Sequence, residues 1–325
     1  MSSNQLKIVS IGGGTGLSTL LRGLKKCDAS LAGIVTVTDD GGSSGRLRDE
    51  FGVLPPGDIR NCLIALSEDE NLMARLFRYR FNSDGGLHDH SFGNLFLTAM
   101  AGVTGDFAEA VRLTSEVLAI KGVIYPATNT NVTLRAQFED GGWVQGESRI
   151  TAARKTICKV ELNPLEAEPL TDALRAILTA DVITLGPGSL YTSLIPNMLV
   201  REVVRTIQDS GAIKIYIQNI MTQPGETDDY SVRDHIVALM DHCGGRLLFP
   251  NIILNSGVPS AETQKRYRDQ GAVLVRFNRE RLVSMELRIM ERDLLAEDMA
   301  IIRHDPDRLA RAVLEMAGFA RAQHA

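Results

Sequence analysis

The stretch Ile8-Val9-Ser10-Ile11-Gly12-Gly13-Gly14-Thr15-Gly16-Leu17-Ser18 narrows what this chain can become more than any other. A short apolar run meets four glycines within five residues, and an amphipathic stretch from Leu17 to Lys26 follows at once. That order reads as strand, tight loop and helix. Glycines let a backbone approach a phosphate closely. The unpaired N–H groups of a first helical turn then point at it with the positive end of the helix dipole. The spacing of Gly12, Gly14 and Gly16 is not the strict GxGxxG fingerprint. A turn that merely needs positive φ accounts for fewer glycines than these. Gly13, Gly14, Thr15 and Gly16 are therefore the first candidate ligand-binding residues.

A second apolar run, Leu31 to Val37, ends in Thr38-Asp39-Asp40-Gly41-Gly42-Ser43-Ser44-Gly45-Arg46. An acid at the end of a second strand is where dinucleotide-binding folds hold a ribose, and Asp39 and Asp40 stand there. The adjacent pair also offers carboxylates for Mg²⁺, which takes carboxylate and phosphate oxygens together. Ser43, Ser44 and Arg46 offer hydroxyls and a guanidinium to an anion. The plainer alternative is a solvated loop with helix-capping serines. Next, Pro55-Pro56 imposes extended backbone before a helix beginning near Gly57 or Asp58. Asp58 reads as that helix's N-cap, with Arg60 and Asn61 in its first turn facing the same mouth.

From Ala65 to Gly122 the apolar spacing is helical, interrupted by Asp84-Gly85-Gly86-Leu87-His88-Asp89-His90-Ser91-Phe92-Gly93-Asn94. His88, Asp89 and His90 lack further ligands at a recognisable metal spacing. His90, Ser91 and Asn94 read instead as the polar start of a helix facing the site. Between Thr130 and Arg149 the period changes to two: Val132, Leu134, Ala136 and Phe138 alternate with polar residues, and Asp140-Gly141-Gly142 turns into Trp143-Val144-Gln145. This predicts a β-hairpin insertion, running with a strand at Ile157 to Leu162 over about 130–162, that serves as a lid or a subunit interface.

The α/β alternation then resumes. Helix Thr171 to Leu178 precedes strand Ala180 to Leu185, which runs into Gly186-Pro187-Gly188-Ser189 and another helix. This second glycine junction makes Gly186, Gly188 and Ser189 candidates for a second phosphoryl group. Strand Ile213 to Ile217 ends in a third polar loop, where Asn219 and Thr222 offer groups that read a base or sugar. The remainder, about 260–325, reads as a helix, a strand at Ala272 to Phe277, a charged segment and a closing amphipathic helix from Asp307 to Ala320.

Composition excludes several classes. The 325 residues are 44% hydrophobic, enough for one large core. The net charge of −5 argues against a sequence-independent nucleic-acid binder. Cys27, Cys62, Cys158 and Cys243 form no CxxC, so neither a zinc site nor a disulfide framework is expected. No apolar run approaches the ~20 residues that span a bilayer, so no membrane insertion is expected. The first strand starts by Leu6, leaving no room for a signal peptide, and a cytoplasmic location is expected. These readings amount to one α/β domain over 1–325, Rossmann-like. It would hold a mostly parallel sheet with helices on both faces, an inserted hairpin and a helical C-terminal extension.

The motifs IGGGTGLSTLLRGL, TVTDDGGSSGRLR, LPPGDIRNCLIAL, HSFGNLFL, LGPGSLYTSLIPNMLV and QNIMTQPGET stand in register from Lys7 to about Asn255. In this the chain resembles the YvcK-like branch of the CofD-like proteins, the gluconeogenesis factors. The resemblance implies a modified Rossmann-like fold, a homodimer, and a nucleotide-type ligand across the glycine loops. For the YvcK-like branch that ligand is a UDP-sugar such as UDP-N-acetylglucosamine, with roles in cell shape and in growth on gluconeogenic carbon. The wider family's named enzyme is 2-phospho-L-lactate transferase, which moves a phospholactyl group from a guanosine diphosphate carrier to a deazaflavin alcohol with Mg²⁺. After Asp39-Asp40 that enzyme type continues toward a Ser-Pro-Asp segment, whereas this chain reads Gly-Gly-Ser-Ser-Gly-Arg. What carries over is Gly13, Gly14, Thr15, Gly16, Gly188 and Ser189, with the acid pair.

Three functions follow as expectations. The first is a nucleotide-sugar-binding regulator without turnover, the base held by Asn219, the ribose by Asp39 and Asp40, and the diphosphate by the glycine loops. The second is a Mg²⁺-dependent phosphoryl or phospholactyl transferase. In it Asp39 or Asp40 holds metal or takes a proton, and Arg46 offsets phosphate charge. The third is an NAD-binding protein, which the first loop and Asp39 fit and the second glycine loop does not.

Overall fold

Apolar residues line both faces of the first strand, as a strand covered on both sides of a parallel sheet requires. In a computed structural model describing residues 5–67, 72–82, 84–298 and 301–322, this strand, β1 (Leu6–Gly12), lies inside a seven-stranded sheet. It leads into α1 (Gly14–Leu24) and β2 (Ala29–Val35). Helices α2 (Gly42–Phe51), α3 (Gly57–Leu66), α4 (Leu72–Arg78), α5 (Phe92–Thr104) and α6 (Phe107–Val117) precede β3 (Val123–Pro126). The insertion comprises β4 (Thr133–Phe138), β5 (Trp143–Gln145), α7 (Glu147–Ala153) and β6 (Ile157–Asn163). The α/β alternation resumes with α8 (Thr171–Leu178) and β7 (Val182–Leu185), then a π-helical turn (Leu190–Leu194), α9 (Ile195–Leu199) and α10 (Val203–Asp209). After β8 (Ile213–Ile217) come α11 (Val232–His242), β9 (Asn251–Asn255), α12 (Ala261–Asp269), α13 (Arg279–Ser284) and β10 (Arg288–Arg292). A hairpin of β11 (Leu295–Asp298) and β12 (Ile301–His304) leads to α14 (Pro306–Ala322).

The large sheet runs β10-β9-β8-β7-β1-β2-β3, and every neighbouring pair is parallel. All strands therefore end at one edge. The order reverses at β1, where β2 lies on one side and β7 on the other, and this is the switch point at which open α/β sheets bind ligands. The glycine loop after β1 and the one after β7 are neighbours there.

The expected hairpin is present, and with Ile157–Asn163 turning back along the other edge of β4 it makes a three-stranded antiparallel sheet, β5-β4-β6. One expectation is corrected. Ala272–Phe277 does not form a strand of the sheet. It lies extended against the loop after β8, with Thr222 N donating to Val273 O and Val275 N to Ile220 O. The edge strand is β10 instead, from the segment that reads only as charged. Its Glu291 and Arg292 pair with Arg279 and Glu315. The expected closing helix is present as α14.

Among the described residues no helix is long and apolar enough to cross a membrane. The four cysteines are free.

The C-terminal helix is keyed into the first one. A Cβ on Gly23 of α1 would lie 1.9 Å from Pro306 O and 3.0 Å from Ala310 Cβ. Alanine favours a helix over glycine by up to about 1 kcal/mol, but here it overpacks the contact between α1 and α14. Gly23→Ala should lower the unfolding free energy by about 1–3 kcal/mol, read from denaturant midpoints. Gly318→Ala, on α14 in open space, should leave it level or raise it.

Candidate functional site

The first two glycine loops are packed backbone against backbone. A Cβ on Gly16 would lie 2.3 Å from Pro187 O, so only glycine lets α1 start this close to the second loop. Gly14 takes a positive φ of 63°, as a residue leaving a strand for an immediate helix must. Gly186 also needs positive φ, 86°, and it opens the second loop. Beneath them Asn197 Nδ2 donates to Gly12 O at 3.1 Å and to Ser193 O at 2.7 Å, tying the first strand to the π-helical turn.

A cavity of about 210 Å³ opens at this junction. Thr15, Gly16 and Thr19 of α1 form one wall, and Pro187, Gly188 and Ser189 form another. Asn219 to Met221 with Gln223 close a third side, and Tyr267 with Ile302, Arg303 and His304 close the fourth. Five expected residues therefore meet here: Thr15, Gly16, Gly188, Ser189 and Asn219. Asn219 spends its amide on the second loop, accepting from Gly188 N at 3.1 Å and donating to Gly188 O at 2.7 Å. Thr222 is buried away from the cavity, where its hydroxyl accepts from Val273 N at 2.9 Å. Arg303 and His304 come from β12, in a part of the chain with no motif. Burial lowers His304 to about 4, so it is neutral at physiological pH.

A second group lies beyond β2. Ser43 Oγ bonds His90 Nδ1 at 2.9 Å and accepts from Asn94 Nδ2 at 3.0 Å. Arg60 donates to Asn94 Oδ1 at 2.8 Å, to Asn61 Oδ1 at 2.8 Å and to Ser91 Oγ. This joins Ser43, Arg60, Asn61, His90 and Asn94 in one buried network. Burial, with Arg46 nearby, lowers the His90 pKa. Burial also lowers Arg60 to about 10. Ser44 is buried, close to Gly57. Arg46 stands apart on the surface, donating to His88 O at 2.6 Å.

The third group is acidic, and part of it was not legible in the chain. Asp39 Oδ1 accepts from Gly41 N at 2.9 Å, and its Oδ2 lies toward Gly57. Asp40 Oδ1 accepts from both the amide and the hydroxyl of Ser148 at the start of α7, at 2.9 and 2.8 Å. Asp58 does not cap its own helix, whose N-cap is Pro56. Its carboxylate accepts from Gly14 N at 2.6 Å, at the start of α1. Glu226 plays the same part at the second junction, accepting from Tyr191 N at 3.3 Å and Thr192 Oγ1 at 3.0 Å. A buried carboxylate thus already sits at each helix start that the glycine loops suggested for phosphate. Burial pushes Asp58 up to about 6 and Glu226 to about 7. Glu147 is raised well above the ordinary carboxylate range, by burial first and then by Asp39, Asp58, Glu226 and Asp40.

Among the described residues no three His, Cys, Asp or Glu converge as a metal site. Mg²⁺ commonly takes only one or two carboxylates and fills its shell with phosphate and water. Asp39 fits that use, because its Oδ2 is turned away from the Gly41 contact.

Fold and site together define a Rossmann-like α/β protein with two glycine loops converging at a sheet switch point. The family described as 2-phospho-L-lactate transferase CofD matches residues 8–295. The gluconeogenesis factor of Halalkalibacterium halodurans is 46% identical over 95% of this chain and 95% of its own. That of Bacillus subtilis is 44% identical over 95% and 98%. A crystal structure of a Bacillus halodurans protein superposes with a TM-score of 0.93 at 44% identity, covering 96% of this chain and 100% of that one. The chain belongs to the CofD-like family, in its YvcK-like, gluconeogenesis-factor branch.

The Asp58 contact has a measurable sign. A carboxyl near 6 in the fold and near 4 when unfolded binds its proton more tightly in the folded state. Its contribution favours folding at low pH and is lost as pH rises through 6. Between pH 4 and pH 8 the wild type should lose about 2 kcal/mol relative to Asp58→Asn, which keeps an acceptor for Gly14 N. Unfolding curves across that range check it.

Proposed function

We propose that this protein binds a diphosphate-linked nucleotide sugar of the UDP-N-acetylglucosamine kind and acts as a cytoplasmic regulator of carbon metabolism and cell shape. The observation that carries this reading is the cavity where the first turn of α1, the second glycine loop and Arg303 meet. Hydroxyls of Thr15, Thr19 and Ser189 and the backbone of Gly16 and Gly188 suit the oxygens of a diphosphate. Arg303 supplies the opposite charge. Asp39 and Asp40, across the first glycine loop, are acceptors for the hydroxyls of a ribose or sugar. The name of its relatives, gluconeogenesis factor, supports the link to carbon metabolism.

A second reading, transfer to an acceptor hydroxyl, is favoured by Glu147. Its carboxyl, raised in pKa by burial and by Asp39, Asp58, Glu226 and Asp40 around it, suits a group that takes a proton from an acceptor hydroxyl. Mg²⁺, held by Asp39 with ligand phosphate oxygens, would neutralise developing charge on the transferred group.

Calorimetric titration with UDP-N-acetylglucosamine, GDP, GTP and NAD⁺, each with and without Mg²⁺, separates these readings. Metal-independent binding of the UDP-sugar without turnover heat supports the regulator. Binding of a guanosine nucleotide only with Mg²⁺ favours the transferase, and preference for NAD⁺ favours a dinucleotide-binding protein. Absence of all binding overturns the three. Arg303→Ala should weaken UDP-sugar binding at least tenfold, an effect of about 1.4 kcal/mol.

A further inference from the structure

A cavity of about 450 Å³ opens at the edge strand β10, within the size range of small-molecule sites. None of its lining residues belongs to the glycine-loop cavity. Met290 of β10, with Met316 and Ala320 of α14, gives it a buried apolar wall. Asn251 and Arg288 are the first residues of β9 and β10. They stand at the amino-terminal edge of the sheet, opposite the edge where the glycine loops emerge. The two are ladder partners, so their side chains share one face with Met290 and Arg292.

Two polar groups of this cavity lack a counterpart. Asn251 is buried and its Nδ2 donates to Lys214 O at 2.9 Å, while its Oδ1 has no hydrogen-bond partner among the described residues. Exchanging the two amide atoms does not help, because Lys214 O would then face an oxygen. Buried polar groups are seldom left unpaired, and this acceptor calls for an O–H or N–H donor. Beside it stands Arg288, exposed and in no ion pair among the described residues. The other two guanidiniums of the cavity are engaged, Arg279 with Glu291 and Arg292 with Glu315. The unmet needs are thus an oxyanion for Arg288, a donor next to it for Asn251, and a short apolar body against the methionines. An ammonium donor would meet three guanidiniums while Glu291 and Glu315 are already paired, so a hydroxyl suits the place better. We propose that this cavity is a second ligand site, one that takes a small 2-hydroxycarboxylate. Its carboxylate accepts from Arg288, and its hydroxyl donates to Asn251 Oδ1.

Saturation-transfer NMR of the full chain with 2-hydroxyisovalerate, isovalerate and valine tests this, since the three differ only at the second carbon. The hydroxy acid should bind saturably, and at least about tenfold more tightly than isovalerate or valine. Arg288→Ala, at an exposed side chain, should weaken it at least about tenfold, with unchanged circular dichroism and melting temperature. Asn251→Ala should bring the hydroxy acid down to the affinity of isovalerate. Arg281→Ala, at an exposed arginine of α13 outside the cavity, should change nothing. Absence of saturable binding at millimolar hydroxy acid overturns the proposal. So does equal or tighter binding of isovalerate or valine, and so does binding that Arg288→Ala leaves intact.

Discussion

The site depends on one close approach: the backbone of Gly16 pressed against the carbonyl of Pro187. Neither loop is unusual alone, since strand, glycine and helix recur in many α/β folds. What is particular is that β1 and β7 are parallel neighbours at the point where strand order reverses. Their loops must leave the sheet side by side, and any side chain at position 16 would push them apart. The spacing of the two loops is therefore set by backbone, not by rotamers. Asn197 and Asn219 keep it so, one bonded to Gly12 and the other to both polar groups of Gly188.

That geometry divides the mouth of the sheet by charge. Helix starts attract anions, and this chain places its own carboxylates there, Asp58 on Gly14 and Glu226 on the turn at Tyr191. Both are buried, and both have raised pKa values, so their charge is borne at a cost. An incoming diphosphate would be repelled from that side and favoured on the side of Thr15, Ser189 and Arg303. Hydroxyl-rich parts of a ligand have the reverse preference. On the proposed reading, the acids and the arginine would order a ligand that carries both kinds of group.

How legible this was in the chain depends on how local each feature is. The strand and helix around Gly13 to Gly16, the loop at Gly186 to Ser189, α8 and β8 announce themselves by period and glycine spacing. β10 does not, because an edge strand tolerates Arg288, Glu291 and Arg292, whose alternation resembles a solvated segment. Ala272–Phe277 has strand character, yet the edge it meets is a loop, so it adds an extended layer over Ile220 and Thr222. Asp58 has the residue type of a cap and does cap a helix, but one 44 residues earlier. Glu147 stands singly and Glu226 beside Asp228 and Asp229, and nothing in their spacing links either to Asp39. Only the three-stranded insertion brings Glu147 over the mouth.

The insertion and the C-terminal segment consequently carry what distinguishes this site from a generic glycine-loop fold. α7 is held to the mouth through Asp40, whose carboxylate caps Ser148, and β6 is held to the body by His242, whose Nε2 accepts from Val160 N. Because Nδ1 of the same ring bonds Ala238 O at 2.7 Å, the ring must be neutral with its proton on Nδ1. On the other side α14 locks against Gly23 and so fixes β12, which brings Arg303 to the cavity. A parallel sheet supplies the loops and their spacing. On the proposed reading, the choice of ligand would rest on two appended pieces, one fastened through Asp40 and His242 and the other packed against Gly23.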